Sequence, residues 1–481
     1  MNYRIILQTL GRVVALEGVL MLLPLITALC YGEWTTAFAF LVVILGAVIV
    51  GLLISVIFKP KDGTIFSREG LVIVALAWIV MSAVGALPFV ISGEISSYVD
   101  AFFETVSGFT TTGASIIKSG EIEFLSHGIL MWRSFTHWIG GMGVLVFVIA
   151  VTKASSDRNI HIMRAEMPGP IVDKLTPRSK DTAKILYYIY IVMSAILFVM
   201  LLFGGMDVFD SLIHTFGTAG TGGFSSKNSS IADFNAYIQW VIAIFMLLFS
   251  INFNLYFLVL IGRFTSAIKS KELWIFVGIV LTATVIVVFN SFSTLSVLPE
   301  TIRNAFFQVS SIISTTGYLT VPMESWNSTV KTVILVLMFI GGCAGSTAGG
   351  LKVTRIILLF KSSSYELQRV LHPRTVKKIT FDGKPVDEQT VKGVSVYLAL
   401  YILIFAVVLF VLSLDTGFAF DSNFSAVATC LNNVGPGFNQ ASTTFAGYSD
   451  LSKIVLSSAM LFGRLEIYPL LLLFSPSTWK K

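Results

Sequence analysis

Val106-Ser107-Gly108-Phe109-Thr110-Thr111-Thr112-Gly113-Ala114 decides how the rest of the chain is read, because versions of it recur three more times. The later versions are Gly220-Thr221-Gly222-Gly223-Phe224, Ser314-Thr315-Thr316-Gly317-Tyr318 and Asn432-Asn433-Val434-Gly435-Pro436. Each is a small, polar loop built on one glycine: Gly113, Gly223, Gly317 or Gly435. Thirteen residues before each glycine stands a polar residue: Asp100, Asp210, Asn304 and Ser422. The stretches that lead into the loops, 98–109, 208–219, 302–313 and 420–431, are about a dozen residues each. That is too short for a helix to cross a hydrocarbon layer about 30 Å thick. A short helix that enters a membrane and hands over to extended backbone would have this form.

Composition demands the membrane. The 481 residues are 55% hydrophobic and 12% charged, with a mean hydropathy of +0.83. A soluble domain needs a largely polar surface and cannot hide so much apolar side chain. Apolar runs long enough to span recur at roughly 5–30, 35–58, 69–92, 127–152, 182–205, 236–262, 272–293, 327–360 (interrupted), 391–414 and 452–474. The first is expected to be a retained span: it is long, carries Glu17 and lacks a small-x-small cleavage site. The fold expected is an all-α polytopic membrane protein.

Charge sets the orientation. With the N-terminus in the cytoplasm and ten alternating spans, all but seven of the 33 basic residues fall inside. The seven are Lys118, Arg133, Lys227, Arg303, Lys331, Lys453 and Arg464. This asymmetry predicts cytoplasmic termini and outward-facing glycine loops. The positive charge lies in short connections and forms no soluble basic face, so no nucleic-acid partner is expected. Acids collect outside, among them Glu94, Asp100, Glu104, Asp207 and Asp210. They form either a cation-concentrating vestibule or helix caps. Cys30, Cys343 and Cys430 have no CxxC or disulfide spacing and are expected to pack. The five histidines form no metal-ligand pattern.

Irregular backbone at membrane depth is tolerated only where it lines water or is buried in protein. Glycine lets the backbone turn its carbonyls toward an axis. Rings of carbonyl oxygens replace the hydration shell of a dehydrated cation. Short helices pointing inward add the partial negative charge of their C-termini. The expected ligands are Thr111, Thr112 and Gly113, then Thr221, Gly222 and Gly223, then Thr315, Thr316 and Gly317, then Asn433, Val434 and Gly435. None of the loops holds a carboxylate, which argues against Ca²⁺ or Mg²⁺ as the permeant ion. Close helix packing is the other use of such glycines. Four copies at matched spacing favour the filter.

These four motifs resemble those of the Trk/Ktr/HKT superfamily of potassium transporters, and the resemblance covers essentially the whole chain. It implies four pseudo-symmetric helix–pore helix–helix repeats, like fused potassium-channel subunits, after two extra transmembrane helices, as in the bacterial Trk branch. The corresponding divisions are 1–66 for the extra helices, then 67–180, 181–270, 271–387 and 388–481. Glycine at the key position of every loop goes with potassium preference in that family, so K⁺ is the expected permeant ion. The resemblance also implies a lipid-embedded homodimer in a bacterial inner membrane, with a cytosolic Trk-type regulatory subunit that binds nucleotide. No Walker or Rossmann fingerprint occurs, so no nucleotide site is expected in this chain.

Two anomalies remain. The eighth apolar run is broken by Gly341-Gly342-Cys343-Ala344-Gly345-Ser346-Thr347-Ala348-Gly349-Gly350. So many small residues are poor helix formers and should unwind. On the expected topology the strip lies below the loops, where a gate belongs. A phosphate loop is excluded by the missing lysine after Gly345 and the missing strand before it. Arg464 stands in the last apolar run, where a charge is costly unless it faces water or a partner. Glu466, two residues on, would face elsewhere on a helix. The expected gate is therefore Gly341, Gly342, Gly345, Ser346, Thr347, Gly349 and Gly350 together with Arg464. In the family a basic residue at this place faces the permeation path.

Two rivals remain open at this point. A Na⁺- or H⁺-coupled secondary transporter would also use broken helices, but calls for inverted halves rather than four repeats in one sense. A membrane enzyme needs a catalytic constellation, and no HExxH, GxSxG or paired intramembrane aspartates are present.

Overall fold

The computed structural model describes residues 1–60, 66–143, 179–291, 297–373, 378–415 and 417–479. The basic cluster between Lys153 and Arg178, with Pro168, Pro170 and Pro177, lies outside them, as do Arg374, Lys480 and Lys481. The regular secondary structure among the described residues is helical apart from one two-stranded hairpin, Thr380–Phe381 (β1) with Lys384–Pro385 (β2).

The chain opens with α1 (Tyr3–Leu20), α2 (Leu22–Cys30) and α3 (Trp34–Ile57). It continues through α4 (Ser67–Gly85), α5 (Leu87–Ser92), α6 (Tyr98–Phe109), α7 (His127–Gly141), α8 (Ser179–Phe203) and α9 (Val208–Gly220). Next come α10 (Ala236–Phe249), α11 (Phe253–Leu260), α12 (Phe264–Ile268), α13 (Lys271–Ser291), α14 (Leu298–Ile313) and α15 (Ser328–Ile340). After the glycine-rich strip follow α16 (Val353–Leu371), the hairpin, α17 (Glu388–Asp415), α18 (Phe420–Asn432), α19 (Asp450–Arg464), α20 (Tyr468–Phe474) and α21 (Pro476–Trp479).

Six helical stretches among the described residues are long and apolar enough to cross a membrane: Tyr3–Cys30, Trp34–Ile57, Arg68–Ser92, Lys184–Phe203, Lys271–Ser291 and Glu388–Asp415. Their outer faces carry Leu53, Val56, Phe289, Leu403 and Phe410, each more than half exposed. Such a surface is stable against hydrocarbon and not against water. This is a multi-pass membrane protein.

Three of the other expected spans are broken, and of 127–152 only the part up to residue 143, holding α7, is among the described residues. The run 236–262 bends by 90° between α10 and α11. Its cause is Asn252, whose Oδ1 accepts from the Asn254 amide at 2.9 Å and starts a new helix. The run 452–474 breaks at Glu466 and Ile467, both at positive φ (56° and 69°). Pro469 opens the next helix and cannot continue the previous one. The run 327–360 is split at the glycine-rich strip, as expected, though the non-helical part extends to Lys352.

The four short helices are α6, α9, α14 and α18, within a few residues of the expected stretches. Of the outer acids left open as caps, Asp207 fills that role and Asp100 and Asp210 do not. Ser97 Oγ accepts from the Asp100 amide at 3.4 Å, and Asp207 Oδ2 accepts from Phe209 and Asp210 at 3.1 and 3.3 Å. Asp100 and Asp210 thus sit inside the first turn rather than at the cap. Cys343 and Cys430 are buried, but Cys30 is exposed at the end of α2 and does not pack.

Candidate functional site: a ring of four loops above a pinned strip

Each short helix ends in the same way. Thr111, Thr221, Thr315 and Asn433 all lie in the left-handed region, at φ 56°, 56°, 56° and 55°. Their amides reach back three residues, to Gly108, Thr218, Ile312 and Cys430, at 3.1, 3.1, 3.0 and 3.4 Å. The next amides, of Thr112, Gly222, Thr316 and Val434, reach back five residues at 2.8–2.9 Å. This pair of bonds is the left-handed helix cap usually given to glycine. A β-branched residue in that conformation costs about 1–3 kcal/mol and persists where its side chain is wanted. Thr315 Oγ1 accepts from the Gly349 amide at 2.6 Å, and Asn433 Nδ2 donates to Thr112 Oγ1 at 2.9 Å. Thr111 Oγ1 and Asn433 Oδ1 are buried oxygens without a hydrogen-bond partner.

Two residues further on, the chain is left-handed again at Gly113, Gly223, Gly317 and Gly435, with φ 78°, 81°, 85° and 99°. A Cβ on Gly113 would lie 1.9 Å from the Gly222 carbonyl oxygen. A Cβ on Gly223 would meet Thr316 O at 1.9 Å, on Gly317 Val434 O at 2.2 Å, and on Gly435 Thr112 O at 2.6 Å. The carbonyl before each glycine therefore abuts the glycine of the preceding loop, and the fourth contact returns to the first loop. All twelve residues expected to act as ligands come together in this closed ring. Backbone carbonyls gathered around one axis can take the place of water around a monovalent cation.

Residues outside the expected filter and gate hold the ring. Glu104 and Arg133 form a buried ion pair at 2.7 Å, with side chains 0% and 2% exposed. Glu104 also accepts from Ser115 Oγ at 3.0 Å and the Ile116 amide at 2.9 Å, fixing the loop just past Gly113. His214, at the matching place in α9, bonds Ser225 Oγ at 3.0 Å. The His137 ring lies between the Gly108 carbonyl (2.8 Å) and the Phe224 amide (3.3 Å), joining the first loop's helix to the second loop. Asp100 pairs with Lys453 at 2.5 Å. Glu104 and Asp100 are thus spent on internal pairs and do not belong to an open acidic vestibule. A signal for the pair was present, since an acid and a base in apolar surroundings need each other. Their 29-residue separation hid it.

The glycine-rich strip lies against the ring. Gly349 donates to Thr315 Oγ1 at 2.6 Å and Gly350 to the Asn432 carbonyl at 3.1 Å. Gly341, Gly345 and Gly350 have positive φ, and a Cβ on Gly341 would lie 2.3 Å from Gly349 O. Gly345 O accepts from Phe253, Gly342 O from Val353, and Ser346 Oγ donates to Cys343 O. The Thr347 amide and hydroxyl both donate to the Phe249 carbonyl at the bend of α10. Arg464 donates to Thr347 O at 2.7 Å and to Gly140 O and Gly141 O at 2.5 and 2.8 Å. Arg464 thus touches the strip with which it is grouped as a gate. Glu466 instead pairs with Arg355 of α16, which also stacks over Tyr397 at 4.1 Å.

Comparison with known proteins places this architecture. A model of the TrkH family of cation transport proteins matches residues 38–481. The chain is 38% identical to the Trk system potassium uptake protein TrkH of Escherichia coli K12, covering all of both chains. It is 34% identical to Trk system potassium uptake protein TrkG of the same strain, over 100% of this chain and 99% of that one. The crystal structure of the potassium transporter TrkH from Vibrio parahaemolyticus superposes with a TM-score of 0.90 at 34% identity over the full length of both. The chain therefore belongs to the TrkH cation transport family, a family of transporters and not of enzymes.

Proposed function

We propose that this protein takes up K⁺ across a bacterial inner membrane through the ring of four loops. The observation that carries the reading is the closed cycle of glycine-to-carbonyl contacts, from Gly113 to Gly222, Gly223 to Thr316, Gly317 to Val434 and Gly435 to Thr112. Four tight caps put the ring's carbonyls at fixed spacing, and four helix C-termini add negative potential at its centre. Thr111 Oγ1 and Asn433 Oδ1 offer further oxygens. The relatives named as potassium uptake proteins support K⁺ as the ion. The loops differ from one another in side chains, so the ring is graded rather than uniform.

The four helix–pore helix–helix repeats follow α1–α3, with loops facing outward and both termini in the cytoplasm. Membrane potential, worth about 2.3 kcal/mol per charge per 100 mV, drives entry. Beneath the ring, the 341–350 strip and Arg464 close the path. Arg464 repels cations by charge and holds the strip through Thr347 O. Control comes from a cytosolic nucleotide-binding subunit acting on a homodimer, a reading supported by the word "system" in the relatives' names.

Uptake of Rb⁺ into proteoliposomes, with Na⁺ and other cations as competitors, tests the proposal. Saturable uptake with weak Na⁺ competition is expected, and equal competition by Na⁺ would defeat it. Uptake that requires an imposed H⁺ or Na⁺ gradient would instead favour a coupled carrier.

A further inference from the structure

Beyond Arg464, the strip has a second clamp. Glu272, 4% exposed, accepts from the Ala344 amide at 2.8 Å and from the Thr354 hydroxyl. One carboxylate thus ties the strip to the start of α16. Burying a carboxylate is costly unless it is hydrogen-bonded, and here Oε1 takes one bond from the strip and one from α16. Glu272 is the second residue of α13, yet it does not cap that helix. The cap comes from elsewhere: Asp382 Oδ1 accepts from the Lys271 amide at 3.0 Å.

Asp382 sits at the tip of the β1–β2 hairpin. Asp382 and Gly383 have φ 47° and 77°, the two positive values that a tight two-residue hairpin turn needs. The hairpin is itself anchored. Lys361 Nζ donates to Thr380 O at 2.6 Å, and Phe381 packs on the core shared by α13, α14 and α15. Hairpin tip, first turn of α13 and strip form one continuous line of contacts through two adjacent residues.

We propose that the β1–β2 hairpin holds the strip closed: Asp382 fixes the first turn of α13, and Glu272 on that turn holds Ala344. A partner that lifts the hairpin removes the cap, loosens the turn and releases Ala344. Asp382 and Glu272 are positioning residues for ion flux and do not touch the ion. This rests on the reading of the strip as a gate.

The test uses the full chain in proteoliposomes carrying Cys30→Ser, which removes the exposed thiol. Native Cys343, 1% exposed beside Ala344, then reports the strip through its rate of modification by a small charged thiosulfonate. Buried Cys430 controls for unfolding. Asp382→Ala and Glu272→Ala are each expected to speed Cys343 modification about tenfold, the worth of one charge-assisted hydrogen bond. The double variant should exceed the larger single variant little, because both act on one line. Asp382→Asn and Glu272→Gln keep an acceptor oxygen and should label more slowly than the alanine variants. Unchanged Cys343 rates in both alanine variants, or equal labelling of Cys430, would overturn the clamp. Rb⁺ flux separates the two readings. Faster labelling without added flux keeps the clamp and sinks the gate. Added flux in Arg464→Ala, with no change at 382 or 272, keeps the gate and sinks the clamp.

Discussion

The carbonyl oxygen of Thr316 stands 1.9 Å from the point where a Cβ on Gly223 would be. No side chain fits there unless one loop moves off the other, since the obstructing atom is backbone. Gly223 also has φ 81°, a conformation costly to any other residue. Gly223→Ala should therefore push the third loop's carbonyl out of the ring. We expect Rb⁺ uptake to fall by about fivefold or more, as about 1–3 kcal/mol of strain implies. The Rb⁺-to-Na⁺ competition ratio should fall with it. An alanine variant with the parent's uptake and ratio would show that the ring does not select.

Arg464 donates to three backbone carbonyls on two elements, Thr347 of the strip and Gly140 and Gly141 at the end of α7. A charged donor to a carbonyl is worth about 1.5–3 kcal/mol. Arg464→Ala removes both the positive charge and the tether to the strip. It should raise Rb⁺ flux, and Arg464→Lys should raise it less, because lysine keeps the charge but lacks the planar fork. Shortening the strip at Ser346-Thr347 should act in the same direction. Tracer flux in liposomes measures all three, and equal flux in every variant would refute the barrier.

Glu104 and Arg133 are both fully buried, and Arg133 also lies over the Phe224 ring at 4.2 Å. Removing one member leaves a buried charge with no counter-ion, at a cost of about 3–5 kcal/mol. Glu104→Ala should lower the melting temperature in detergent markedly and reduce the folded yield. The double variant, with both charges gone, should melt above either single one. A double variant that melts lower than both would mean that the pair acts only by packing.

The sequence revealed the parts that repeat or break a pattern. Four glycines at matched distance from a polar residue marked the loops, and the glycine-rich strip marked the break after α15. Arg464 stood out because a charge in an apolar run is rare. What it hid were long-range partners. The partner of Glu272, Ala344, lies 72 residues away in the chain. Glu466 was two residues from Arg464 and its real partner, Arg355, lies 111 residues back. The bend at Asn252 and the stop before Pro469 were legible as local chemistry. Hydropathy averaged over a whole run smoothed both away, so two spans looked continuous.

The Arg355–Glu466 pair offers the sharpest remaining test of how the gate is held. Glu466 and Ile467 are left-handed, and for a β-branched isoleucine at φ 69° that is costly. The kink persists because both sides are tied: Arg355 holds Glu466, and Arg464, two residues earlier, holds Thr347. Arg355 itself lies in the first turn after the strip. Breaking the pair should let the kink relax and carry Arg464 off the strip. Arg355→Ala and Glu466→Ala should then raise flux by similar factors, and the double variant should add little. That non-additivity corresponds to a coupling of about 0.5–3 kcal/mol in a double-mutant cycle. Ile467→Gly should nonetheless lower thermal stability, because Ile467 is fully buried and losing its side chain costs about 2–5 kcal/mol, more than the strain it relieves. Strictly additive fluxes from Arg355→Ala and Glu466→Ala would place the two residues in separate devices, and Arg464 would then be held without help from the Arg355–Glu466 pair.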